Sequence, residues 1–129
     1  MLKAALIVGL GSFFGGSIRF LVATLVDSRW GDRFPWGIFV VNFAGSLAIG
    51  FLAHWFRKHN LAGDSYLPLL LSVGFLGGFT TFSTFSLQTL RLIDEGHMNL
   101  AFANMGLNLL GCLAAAYAGM RISASVFEV

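Results

Sequence analysis

The residues best placed to do chemistry lie between Gly74 and Ser86, which read G-F-L-G-G-F-T-T-F-S-T-F-S. Gly74, Gly77 and Gly78 each weaken a helix by about 1 kcal/mol relative to alanine, and Thr80 and Thr81 add β-branching, so a helix is expected to unwind here. Backbone freed within a bilayer survives only against protein or beside an ion or water path, which makes this segment the strongest pointer to a site. Phe82 and Phe85 follow on one helical face, interleaved with the hydroxyls of Ser83, Thr84 and Ser86. Rings at this spacing also serve core or lipid packing, and it is the alternation with hydroxyls that favours a functional role.

Three further features carry polarity into apolar stretches. Asn42 is the one strongly polar residue between Gly37 and Ala53, and such residues face an interior or a cavity rather than lipid. Asn104, Asn108 and Cys112 recur at i, i+4 and i+8, forming a stripe that either bonds helices together or lines a path. Arg19 is the one charge inside an apolar stretch; its guanidinium either snorkels to an interface or attracts an anion at a pore mouth.

What is missing excludes whole classes of chemistry. No Asp, Glu, His or Lys lies deep in an apolar stretch, so there is no general base, no metal-ligand set and no proton-carrying carboxylate. The chain is therefore not expected to be an enzyme. His54, His59 and His97 fall at stretch ends, where solvated or headgroup positions are expected, and the lone Cys112 forms neither an intrachain disulfide nor a zinc site.

The elements that position these groups follow from composition. Only 11% of the 129 residues are charged and 57% are hydrophobic, which is a membrane composition. The charges cluster at the ends of four spans near residues 4–26, 35–56, 66–92 and 98–122, each long enough to cross about 30 Å of hydrocarbon as a helix. The expected fold is an all-α membrane protein: one four-helix transmembrane domain over residues 1–129, with a broken third helix. The apolar start resembles a signal peptide, but it runs on without a polar cleavage region and is read as the first span. Eight basic residues scattered over span ends make no stripe for nucleic acid.

Orientation is balanced. With four spans, Lys3, Arg57, Lys58 and Arg121 share one side while Arg19, Arg29, Arg33 and Arg91 share the other, so the positive-inside rule selects neither direction. Insertion both ways and pairing into an antiparallel homodimer is the expectation. Small residues spaced four apart, as in Gly11/Gly15, Ser12/Gly16 and Ser46/Gly50, supply close-packing faces without naming a partner.

Taken together, the run Gly74–Ser86, the G-x-x-V-V-N ending at Asn42 and the G-G-S-I-R ending at Arg19 resemble the CrcB/Fluc family of fluoride channels over essentially the whole chain. The resemblance implies a dual-topology antiparallel homodimer in the cell inner membrane, exporting fluoride passively through two pores. It implies a structural Na⁺ at the dimer centre, bound by backbone carbonyls that fall here on Gly77 and Thr80. It assigns Phe82, Phe85 and Asn42 to the fluoride pore; beside them the Ser83 and Thr84 hydroxyls are expected to donate, Asn108 and Cys112 to line the path, and Arg19 to sit in the vestibule. Phe ring edges are partially positive and amides and hydroxyls donate hydrogen bonds, so such a corridor can replace fluoride hydration without a fixed cation. The chain departs from the family pattern at Ile38, where a Thr is common, at Gln88, where some members carry a carboxylate, and at Asn108 and Cys112, where small hydroxyls are common. Two other readings compete. A small-multidrug-resistance-like cation/proton antiporter shares the size and span count but needs a membrane-embedded Glu; a non-transporting assembly subunit would use the glycines for packing alone.

Overall fold

The computed structural model describes residues 1–31, 33–61 and 65–127; the charges Asp32, Asp64 and Glu128 lie outside them. All regular structure among the described residues is helical. Helix α1 is Leu2–Trp30 and α2 is Trp36–Lys58. Helix α3 covers residues 66–79 and includes a π-wound stretch, Leu69–Leu76, between short α-helical turns. Helix α4 is Phe82–Asp94, and α5 is Met98–Phe127 with a π-wound stretch at Leu107–Gly111. Four spans, Leu2–Trp30, Trp36–Lys58, Tyr66–Asp94 and Met98–Phe127, are long and apolar enough to cross a membrane.

The spans outrun the hydrophobic stretches because charges near their ends, such as Asp27, Arg29, Arg57, Lys58 and Arg91, stay helical. At an interface these side chains are solvated while the backbone keeps its ladder, so nothing stops the helix at the hydrocarbon edge. Glycine stops it instead. Gly96 adopts φ +78°, its N–H donates to the Ile93 carbonyl at 3.0 Å, and His97 N–H reaches the Leu92 carbonyl at 2.7 Å, a Schellman closure of α4. Pro68 sits in the first turn of α3, where its missing N–H costs no intrahelical bond.

The glycines of α3 act differently from expectation. Gly74, Gly77 and Gly78 are helical, and the extended residues are Thr80 (φ −81°, ψ 158°) and Thr81 (φ −152°, ψ 119°). Gly74 and Gly78 instead let α3 lie against α1: a Cβ on Gly78 would stand 2.6 Å from the Ser12 carbonyl, and one on Gly74 2.8 Å from that of Val8. Gly11 and Gly15 answer from α1, where added carbons would strike the Leu70 and Phe75 carbonyls. Ser12 Oγ donates across the seam to the Gly74 carbonyl at 3.2 Å. On the opposite side α2 meets α5 in the same way, Gly50 against Ala116 and Gly119 against Leu47. Backbones brought this close gain dispersion and dipolar contact that larger side chains would forbid in lipid. Val41, Leu76 and Phe79 form the buried apolar centre where α2 and α3 meet.

Candidate functional site

The site is built around the two extended threonines. A pair of residues that leaves helical geometry at membrane depth must find partners for its N–H and C=O groups. Asn42, on α2, supplies both for Thr81: its Oδ1 accepts from Thr81 N–H at 2.8 Å and its Nδ2 donates to the Thr81 carbonyl at 3.1 Å. One side-chain amide thus engages both main-chain groups of one residue, as a neighbouring strand would. Thr81 then caps α4, its Oγ1 accepting from Thr84 N–H at 3.2 Å. Arg19 Nη1 donates to the Thr80 carbonyl at 3.3 Å, so the one charge within the apolar stretch of α1 ends on the extended segment.

These bonds release two carbonyls. In a continuous helix Thr81 N–H would serve Gly77 and Thr84 N–H would serve Thr80. Here both donors are committed to side-chain oxygens.

The aromatic pair opens α4. Phe82 and Phe85 hold their ring centroids 5.3 Å apart at 58°, yet Phe85 is buried at 5% exposure and Phe82 is 70% exposed. Phe85 is therefore held by this chain's own packing, and Phe82 projects beyond it. A cleft of about 280 Å³ opens beside them and gathers Asn42, Phe82, Phe85, Asn108, Cys112, Gly77 and Thr80, seven of the positions singled out from sequence. Ser83 and Thr84 do not line it. Their hydroxyls turn to Thr81 Oγ1, at 3.3 and 3.1 Å, because the N-cap of α4 collects hydroxyls at its own first turn.

The cleft also contains residues that sequence reasoning did not assign to a site. Ser46 lies one helical turn beyond Asn42 on the same face of α2, a spacing legible in the sequence, where a serine reads equally as a small packing residue. Ser72 carried no sequence signal and reaches the cleft from the π-wound part of α3. His54 departs from expectation too. It is 4% exposed with Nδ1 3.1 Å from Ser123 Oγ, because α5 continues past residue 122 and covers it.

The amide hydrogens in the cleft are all engaged. Asn42 Nδ2 donates to Asn108 Oδ1 at 2.9 Å as well as to Thr81, and Asn108 Nδ2 donates to the Asn104 carbonyl and Oδ1 at 3.1 and 2.9 Å. An anion reaching Asn42 must displace Asn108 to gain a hydrogen. Among the described residues no cluster of three His, Cys, Asp or Glu exists, and no carboxylate lines the cleft. A second, wider cavity of about 660 Å³ sits at the α1–α2 and α4–α5 connections, with Arg33, Arg91, Asp27, Glu95, Gln88 and His97 on its walls. Gln88 is one turn beyond Phe85, and its Oε1 is buried without a hydrogen-bond partner.

The model of the CrcB-like protein, Camphor Resistance (CrcB) family matches residues 6–120. The chain belongs to the CrcB family. Within it, the chain is 42% identical over 111 residues to a "Fluoride-specific ion channel FluC" of Clostridium perfringens, covering 86% of this chain and 85% of that one. It is 43% identical over 123 residues to the protein of the same name from Methylobacterium nodulans, covering 95% and 94%. The Methanocaldococcus jannaschii protein of that name is 35% identical over 128 residues, covering 99% and 100%. The matched stretch of this CrcB chain takes in Arg19, Asn42, both threonines, the aromatic pair and the Asn104–Cys112 stripe.

Proposed function

We propose that this chain is a fluoride-selective channel of the cell inner membrane, lowering cytoplasmic fluoride by passive export, and that it is not an enzyme. The observation that carries the reading is the cleft in which, among the described residues, a Phe pair and six amide or hydroxyl residues stand together with no carboxylate, in a chain whose relatives bear the name of fluoride-specific channels. A desolvated fluoride needs donors at short range. The partially positive ring edges of Phe82 and Phe85, the Asn42 amide after release from Asn108, and the Ser46 hydroxyl provide them in sequence, and Cys112 and Asn108 complete the lining. Because no fixed cation is in the cleft, the ion is held weakly enough to leave. Arg19, behind the extended segment, raises the local potential for an anion.

The functional unit in this proposal is an antiparallel homodimer of dual-topology chains, supported by the balanced span-end charges and by the outward-facing ring of Phe82. A structural, untransported Na⁺ fits at its centre. Gly77 and Thr80 have lost their helical donors, Gly77 is exposed, and Thr80 keeps a second lone pair besides the one facing Arg19. Two neutral, hard oxygens per chain suit a small monovalent cation, and the second copy supplies the other two. Bound there, the ion would fix the extended segments of the two chains against each other.

A small-multidrug-resistance-like antiporter is disfavoured because the cleft holds no carboxylate to exchange protons. Liposomes containing the purified protein decide between the readings. Loaded with fluoride, they should lose it rapidly with no chloride loss; efflux that follows an imposed proton gradient would favour the antiporter, and absence of flux would leave an assembly role.

A further inference from the structure

Among the described residues, four buried polar side chains have no part in the cleft; His54 and Ser123 pair with each other, and the remaining two are Thr89 on α4, 6% exposed, and Asn104 on α5, 1% exposed. They are bonded to each other, Asn104 Nδ2 donating to Thr89 Oγ1 at 2.9 Å, and Thr89 Oγ1 donates in turn to the Phe85 carbonyl at 2.8 Å. On its other side Asn104 Oδ1 accepts from Asn108 Nδ2 at 2.9 Å, Asn108 Oδ1 accepts from Asn42 Nδ2 at 2.9 Å, and Asn42 Oδ1 accepts from Thr81 N–H at 2.8 Å. The bonds therefore run in one direction, from a backbone N–H to a backbone carbonyl, through three amides and a hydroxyl on three helices. The polypeptide from Thr81 to Phe85 closes them into a ring.

The direction is dictated by the ends. An N–H can only donate and a carbonyl can only accept, so no amide inside the ring can turn over without setting two donors or two acceptors face to face. In a low-dielectric surrounding that mismatch is expensive, and a satisfied chain of this kind is correspondingly stiff. What the ring encloses is the first turn of α4, which carries Phe82 and Phe85.

We propose that Asn104 and Thr89 are positioning residues, which fix the angle and depth of the aromatic pair by holding the Phe85 backbone while Asn42 holds that of Thr81. The inference rests on the reading of Phe82 and Phe85 as the rings that face fluoride. Neither Asn104 nor Thr89 touches the ion. Each acts through the carbonyl one turn earlier or through the next amide, so its loss loosens the rings without removing any pore group.

The test uses the full-length protein in liposomes with Thr89→Val, which keeps shape and deletes the hydroxyl, Thr89→Ser, which restores it, Asn104→Leu, and the Thr89→Val/Asn104→Leu double variant. Loss of one bond of the ring should lower fluoride flux about tenfold and raise the chloride-to-fluoride flux ratio, while Thr89→Ser stays within about twofold of the parent. Because both residues serve one ring, the double variant should be no slower than the slower single one. Wild-type flux and selectivity in folded Thr89→Val, or losses that multiply in the double variant, would overturn the proposal. A second measurement is independent of conduction: 4-fluorophenylalanine placed at position 85 should give one sharp ¹⁹F resonance in the parent and in Thr89→Ser, and a shifted or broadened one in Thr89→Val and in Asn104→Leu. An unmoved resonance in either of the last two sinks the idea. A parent protein that conducts no fluoride would remove the channel reading and leave this resonance to decide the ring.

Discussion

Replacing Asn42 by Asp changes one atom group and tests the site at its centre. The Nδ2 group now donates at 3.1 Å to the Thr81 carbonyl and at 2.9 Å to Asn108 Oδ1; in Asn42→Asp an oxygen faces both acceptors. Asn108 can answer by turning its amide, which obliges Asn104 to turn and Thr89 to swing its hydroxyl from the Phe85 carbonyl. The Thr81 carbonyl cannot turn, and an acceptor left without its donor costs about 1–3 kcal/mol. Added to this is the charge. A carboxylate about 5 Å from a passing anion, at an effective dielectric near 20, raises the ion's energy by about 3 kcal/mol, or about a hundredfold in occupancy. Fluoride flux from proteoliposomes, followed with a fluoride electrode and normalised to folded protein by gel filtration, should therefore fall at least about a hundredfold. Folded Asn42→Asp protein with flux within about threefold of the parent would refute both the placement of Asn42 beside the ion and the electrostatic argument.

Other outcomes follow from the same geometry. Phe82→Ile should leave the fold of the single chain intact, read as unchanged helicity by circular dichroism, since the side chain is 70% exposed on it, yet lower fluoride flux about tenfold as an aromatic edge is lost. Phe85→Ala, at 5% exposure, should instead cost about 3–5 kcal/mol of stability, read as a lower melting temperature in detergent. Gly78→Val places its branched carbon 2.6 Å from the Ser12 carbonyl, so α1 and α3 should separate and the yield of monodisperse protein should fall sharply, whereas a valine at Gly106, which has open space around it, should be tolerated. Exchanging Na⁺ for N-methyl-D-glucamine on both sides of the membrane should suppress flux and weaken the dimer in cross-linking, and retention of both would remove the ion from the proposal.

Much of the candidate site is legible in the sequence. Asn42 and the Gly74–Ser86 run stand out because polarity in a membrane span is costly and has to be used, so residue type alone marks the place. Ser46 was not found because a serine in a span is also a packing residue, and only a neighbouring wall turns it into a lining group. Residue type points Ser83 and Thr84 at a pore; that their hydroxyls bond to the cap at Thr81 depends on where the helix restarts. The glycines of α3 were read through helix propensity, which is a local quantity; their close approach to α1 depends on residues some sixty positions away, as with the Ser12–Gly74 bond at a separation of 62.

By itself the amino-acid order determined four apolar spans, the membrane as their solvent, the family and the positions of the polar groups, because hydrophobic length and the cost of buried charge act on each stretch separately. Tertiary structure alone decided which of the two phenylalanines is buried and that the interruption falls on the threonines. It also decided that every amide hydrogen of the asparagines in the cleft already has a taker. Those facts depend on Asn42 meeting Thr81 39 positions away and Asn108 66 positions away, and a hydrogen bond is a property of the pair and its packing rather than of either residue.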